Sequence, residues 1–345
     1  MRADTRRRYN DLLDSMGKTY GVQSTKEHFA IEEPLEIRLR GAIQESDAFL
    51  NQITILPVRD LKGQPLGIQI HDSIAGRTDT SGAGRRAPQL AGAPDGFTYE
   101  CKKTNYDVGI TYMLLDTWAM FSNFRQLYMN AVYRRMALDD ILIGWYGTSA
   151  AVDTDRVTNP LLQDVNLGWL KKLLDQNPAM LMLEGANAGE IRIGAGTGYD
   201  FANLDQLVYA VASMIPRAHR TGNEVAIIGE GLIAWDTGKV LEAHGQTPTE
   251  RQALRTLDKS YGGKSSVIVP HFPDYGVMVT DLKNLQLLWQ LGSMRRHTKE
   301  EPEADRVVDY QSSNNAYCFG DFDGVSAIEG ANVKFWDGDS WETPA

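Results

Sequence analysis

Between residues 72 and 88 the chain reads DSIAGRTDTSGAGRRAP, a run of Gly, Ser, Thr and Arg with almost no apolar side chain. Both flanks alternate. Leu66, Ile68 and Ile70 alternate with small or polar residues before it. Phe97, Tyr99 and Cys101, then Tyr106, Val108, Ile110 and Tyr112, do so after it. Period-two alternation marks half-buried strands. The weakly apolar segment, residues 75–96, has no core of its own, and connections beyond about 12–15 residues are uncommon inside compact domains. The pattern predicts a long β-hairpin with a flexible tip that reaches away from its own body.

The strongest helical pattern follows. Residues 116–145 contain no Pro, and no Gly before Gly144. Trp118, Phe121, Leu127, Tyr128, Val132, Leu138, Ile141, Leu142 and Trp145 trace an apolar stripe. At 1.5 Å per residue this predicts a helix of roughly 40 Å, started at Asp116 and stopped near Gly144. Shorter helices are expected over 162–175, over 200–216 with Asp200 or Asn203 as N-cap, and over 231–243. EVAIIG (224–229), SSVIVP (265–270), GVMVTD (276–281), DRVVDY, NAYCFG and ANVKFW read as strands. The mixture is α+β rather than regular βαβ. At the N-terminus Tyr9, Leu12, Leu13, Met16 and Tyr20 fall on one helical face, limited by Gly17 and Gly21. That face fits an ordinary surface helix or a detachable assembly segment with a basic tip.

Charge narrows the function classes. The net charge is -10. Residues 1–29 hold six Lys/Arg against four Asp/Glu, so the remaining chain is more acidic still. Such a body repels nucleic acid rather than gripping it. No apolar run reaches the ~18–20 residues needed to span a bilayer. Cys101 and Cys318 form no CxxC pair, which argues against zinc fingers and disulfide scaffolds. SYGGKSSVIV (260–269) approaches a phosphate-binding loop, but Asp258 stands where that motif needs Gly, and a strand rather than a helix follows. A Gly-Gly hairpin turn is the better reading. GAGTG (194–198) lacks the spacing of a dinucleotide-binding loop. The six histidines make no close metal pair, and the Asp-rich turns at 321–324 and 337–339 lack calcium-loop spacing. No catalytic, cofactor or metal residues are assigned.

Ordered blocks along nearly the whole chain resemble the major capsid proteins of P2-like tailed bacteriophages. They are MRADTRRRYN at the start, IQESDAFLNQITILPV (43–58), KGQPLGI, SIAGRTDT, YECKKTNYDVGITYMLLDTWAMF, NPLLQDVNLGWL (159–170), VPHFP (269–273) and EEPEADRVVDY (300–310). The resemblance implies the α+β HK97-like capsid fold. Its parts would be an N-terminal assembly segment (1–29), an N-terminal arm (30–63), an extended hairpin loop (64–112), a peripheral domain (113–201) with spine helix 116–145, an axial domain (202–295), and a return to the peripheral domain (296–345).

The family also implies self-assembly of hexamers and pentamers into an icosahedral procapsid of about T=7 in the bacterial cytoplasm. Scaffolding protein, a maturation protease and a portal vertex are the implied partners. Double-stranded DNA would be enclosed without sequence-specific binding and without a membrane. By resemblance the protease would cut between Phe29 and Ala30. Arg77, Asp79, Arg85 and Arg86 of the extended loop would touch a neighbouring subunit. Lys–Asn cross-linking is not assigned. The alternatives are a nanocompartment shell protein of the same fold and, behind it, an α+β enzyme.

Overall fold

The computed structural model describes residues 1–64, 75, 77–81, 85–86, 97–118, 123–194, 196–244, 260–336 and 340–343. The helices are α1 (Ala3–Tyr20), α2 (Glu33–Glu45), α3 (Tyr112–Trp118), α4 (Phe124–Tyr146), α5 (Trp169–Gln176), α6 (Leu204–Met214) and α7 (Glu230–His244). The strands of the first half are β1 (Phe29–Ala30), β2 (Thr54–Val58), β3 (Lys62–Gly63), β4 (Tyr99–Glu100), β5 (Lys102–Asn105), β6 (Val108–Thr111), β7 (Leu181–Met182) and β8 (Ile191–Ile193). Those of the second half are β9 (Val225–Ile228), β10 (Ser260–Tyr261), β11 (Lys264–Val267), β12 (Val277–Thr280), β13 (Leu285–Gln290), β14 (Arg295–Glu301), β15 (Arg306–Phe319), β16 (Val325–Ile328), β17 (Val333–Trp336) and β18 (Trp341–Glu342).

Among the described residues a seven-stranded sheet runs β1-β14-β15-β13-β2, with β5 and β6 also on β15. DRVVDY and NAYCFG, read separately in the sequence, are the two ends of the 14-residue β15. A six-stranded sheet runs β10-β11-β9-β12-β16-β7, and β18-β17-β8 form a small third sheet. Two hydrophobic cores result. Ile227, Met278, Val325 and Ala327 face the larger core, which the long helices and the seven-stranded sheet share. Their neighbours Ala226, Ile228, Val277, Val279 and Ile328 face a second core under α6. Burial on both faces is why EVAIIG and GVMVTD read as unbroken apolar runs rather than alternating ones.

Several sequence boundaries move. The helix expected over 116–145 starts instead at Tyr112 as α3; α4 then runs on to Tyr146, with residues 119–122 outside the description. Gly144 lies inside α4 and does not stop it, because Trp169 packs there: a Cβ on residue 144 would sit 2.3 Å from the indole ring. Leu127 is exposed, while Met136 and Ala137 join the buried side. The helix expected over 162–175 begins only at Trp169. Before it the backbone turns through Leu162 at φ 58°, and Asn166 Nδ2 donates to the Asn315 carbonyl at 2.8 Å. Asn203 rather than Asp200 caps α6, accepting from the Gln206 N–H at 2.9 Å. The Gly-Gly turn joins β10 and β11 as expected, with φ of 57° at Gly262 and 75° at Gly263, which only the primed hairpin turns require.

Leu66, Ile68 and Ile70 of the expected hairpin lie outside the described residues. Its base is described: Lys62 pairs with Glu100 and Gly63 with Tyr99, and the Cys101 N–H donates to the Leu61 carbonyl at 2.8 Å. Residues 102–111 then leave that pairing and lie on β15. Of the span 202–295, residues 285–290 form β13 in the seven-stranded sheet, between β15 and β2.

Candidate processing and assembly site

The N-terminal face predicted from spacing is the face that packs. Tyr9, Leu12, Leu13, Met16 and Tyr20 are all buried, and α1 ends on Gly21 in the left-handed conformation. Opposite them lie Ile110, Leu115, Tyr128 and Val307, so α1 sits in a groove between the helices α3–α4 and the sheet. Full burial of such side chains is worth about 1.5–3 kcal/mol each before ordering costs.

Polar contacts fix the position of α1. The Arg6 guanidinium donates twice to Glu300, at 2.7 and 2.6 Å, and the Tyr112 hydroxyl donates to the same carboxylate at 2.8 Å. These contacts, Arg6 foremost, hold Glu300 below the usual carboxylate range. The Arg2 N–H donates to Asp116 at 2.8 Å. Beneath the helix Arg296 donates to both oxygens of Asp309, at 2.9 and 2.5 Å, and to the Tyr20 hydroxyl at 2.8 Å.

After Gly21 a turn, exposed except around the buried Thr25, leads to the predicted junction. The Thr298 N–H donates to the Thr25 carbonyl at 2.9 Å. Phe29 and Ala30 then form β1, paired with Arg296 and Arg295 at the end of the seven-stranded sheet. Phe29 is half-buried beside Tyr20, with ring centroids 5.6 Å apart, and Ala30 is exposed. The His28 ring stacks on His297, which stacks on Tyr310. The junction is thus extended and at a sheet edge, the form in which chains are read by strand addition.

The next segment is anchored differently. In α2, Glu36 accepts from the Gly292 and Met294 N–H groups, both at 2.8 Å. Arg40 meets Asp140 of α4 at 2.9 Å, with both side chains buried. The Tyr106 hydroxyl donates to Asp140 at 2.5 Å, and Asn315 donates to Tyr106 at 2.8 Å.

The four loop residues singled out in the sequence lie apart from this groove. Arg77, Asp79, Arg85 and Arg86 are all exposed. The three arginines form no ion pair with any described residue. Asp79 accepts from the Ser81 hydroxyl at 2.5 Å and its N–H at 2.9 Å, which holds its carboxyl below the usual range. The sequence reading passed over Arg6, Glu300, Arg296 and Asp309, since nothing in their spacing marks a charge as paired, and it took Tyr112 only as a strand residue, whereas Tyr112 opens α3.

Other chemistry-bearing groups are committed to structure. His219, Asp321 and Asp323 bring ligand atoms within 4.8 Å of one another. Yet Asp321 bonds His219 and the Asp323 N–H, and Asp323 accepts from Asn177. Burial pushes the thiols of Cys101 and Cys318 up to about 11 and about 12, so neither is a nucleophile at neutral pH.

Comparison with known proteins settles the family. Residues 8–331 match the family described as phage major capsid protein, P2 family. The chain belongs to the P2 family of phage major capsid proteins. This capsid protein is 34% identical to the capsid proteins of Escherichia phage P2, over all of this chain and 98% of that one. It is also 34% identical to the major capsid protein of Serratia phage KSP20, over 88% of each. A solved structure, the satellite phage P4 procapsid including size determination (Sid) protein, is similar over 98% of this chain and 99% of that one. That similarity has a TM-score of 0.79 and 32% sequence identity. The α+β, HK97-like capsid fold implied by the sequence blocks is therefore the fold of this chain. The capsid protein is a structural component of the virion that assembles with copies of itself into a procapsid shell.

Proposed function

We propose that residues 1–29 are an assembly segment, removed by a maturation protease that cuts between Phe29 and Ala30. The segregation of this segment carries the reading: one docked helix, a mostly exposed turn and a two-residue strand at a sheet edge. None of its buried side chains is charged. Removing it therefore leaves the Arg296–Asp309 pair intact within the body. The remaining subunit parts are the arm (30–63), extended loop (64–112), peripheral domain (113–201 and 296–345) and axial domain (202–295). The second hydrophobic core extends the axial part to Ile191, Ile193, Ile328 and Val333.

Arg77, Arg85 and Arg86 reach acidic surface on a neighbouring subunit, and Asp79 shapes the loop beside them. Scaffolding protein and a portal vertex complete the assembly in the host cytoplasm. The finished shell, of about T=7, closes in hexamers and pentamers by heterologous contacts. Its acidic body encloses double-stranded DNA without holding it. Mass spectrometry of mature particles tests the cut: the capsid chain is expected to begin at Ala30, and an intact Met1 end or another start refutes it. Electron microscopy of Arg85→Glu with Arg86→Glu tests the loop. Soluble, folded subunits that fail to close shells are expected, and normal particles would count against the contact. DNA rather than protein cargo inside separates a phage head from a nanocompartment.

A further inference from the structure

We propose that cutting and shedding of residues 1–29 are separate events, and that the severed segment stays docked in its groove after the peptide bond is hydrolysed. The proposal rests on the reading that the chain is cut after Phe29. Hydrolysis adds one water across that bond, leaving a carboxylate on Phe29 and an amino group on Ala30. Every strong anchor of the segment lies before the cut and survives it. Tyr9, Leu12, Leu13, Met16 and Tyr20 stay buried whether or not Phe29 is joined to Ala30. So do the paired donations from Arg6 to Glu300, the Arg2 contact to Asp116, the Arg296 donation to Tyr20 and the Thr298 donation to Thr25. Beneath Tyr9, Leu12 and Leu13 the gap is only about 20 Å³, while a cavity of about 470 Å³ opens between the Met16–Tyr20 end of α1 and α4. What the cut removes is the tether, and with it the high effective concentration that a covalent link supplies. The link itself runs through the two-residue β1, which contributes little to holding the helix.

The severed body is thus still capped, and its groove is not free for another occupant until the segment departs. The test uses the full-length chain with a recognition sequence for a site-specific protease inserted between Lys26 and Glu27, both exposed. The purified subunit is cut, passed through size exclusion at near-physiological salt and examined by mass spectrometry. Co-elution of the N-terminal fragment with the body is expected; a fragment that elutes separately at once overturns the proposal. The same insertion carrying Leu12→Ala is cut in parallel, with circular dichroism before cutting to show that the tethered chain is folded. It is expected to lose its fragment about tenfold faster or more. Equal loss from both would place the fragment somewhere other than the groove. Neither outcome depends on where the natural protease cuts, so failure of the Phe29–Ala30 assignment is read separately, from the mature N-terminus.

Discussion

Helices α1 and α2 both pack on α4 and the seven-stranded sheet, and the side chains they bury differ in kind. Helix α1 buries Thr5, Tyr9, Leu12, Leu13, Met16 and Tyr20 and keeps the Arg6–Glu300 charge contact near solvent. Helix α2 buries Glu36 and Arg40 beside Leu39 and Ile43. Both regions lie near a buried Arg–Asp pair. For α1 the pair Arg296–Asp309 belongs wholly to the body, and α1 adds a neutral hydroxyl. For α2 one half of the pair, Arg40, is carried by the helix itself. Lifting α1 away exposes apolar surface but separates no buried charges; lifting α2 away strands Asp140 and takes Glu36 from its two backbone donors. On the proposed cut, the segment that leaves and the arm that stays would differ in whether the helix itself carries a buried charge.

The comparison can be broken from the α2 side first. Arg40→Met leaves Asp140 buried without its cation and is expected to cost about 3–5 kcal/mol in denaturant unfolding. A loss under about 1 kcal/mol would show that the pair does not anchor the arm. On the α1 side the largest effect comes from packing: Leu12→Ala is expected to cost roughly 2–3 kcal/mol, at the low end for core leucines because the groove is near the surface. Tyr20→Phe removes one hydroxyl acceptor from Arg296, which keeps both bonds to Asp309, and should cost about 1 kcal/mol. A larger loss would make the α1 anchor as charge-dependent as that of α2.

The smallest effect is electrostatic and depends on pH. Glu300 is depressed in the folded chain, so its contribution is fully present above the unfolded value near 4.5 and fades as pH falls through the lower folded value. Arg6→Ala should therefore cost under about 1 kcal/mol at neutral pH, and the gap to the parent protein should close in acid. Unfolding curves at neutral and acid pH check this; a gap that widens in acid would reverse the sign.

How far the sequence revealed this difference depends on which interaction carried it. The α1 face was legible because Tyr9, Leu12, Leu13, Met16 and Tyr20 repeat with the helical period and nothing else competes for them. The Gly262–Gly263 turn was legible because two positive φ angles leave few other residues possible. The α2 anchor was not: Glu36 and Arg40 look like any solvated helix charges until Gly292, Met294 and Asp140 are placed beside them from distant parts of the chain. Gly144 misled for a related reason, since a glycine that admits a tryptophan ring is indistinguishable in sequence from one that ends a helix. The arginines of the 72–88 stretch were visible as unhoused charges, and the partners proposed for them lie on a neighbouring subunit.

Strand β15 has a mechanical consequence. It is held by β14 and β6 over its first residues, by β5 in the middle and by β13 at its end. A pull along its axis loads these ladders in shear, with many hydrogen bonds strained together, as in a riveted lap joint. The stretch would have to slide a whole ladder past its neighbour before the sheet yields. The same strand closes the floor under α1, so a subunit in tension keeps that floor flat until its joint gives way.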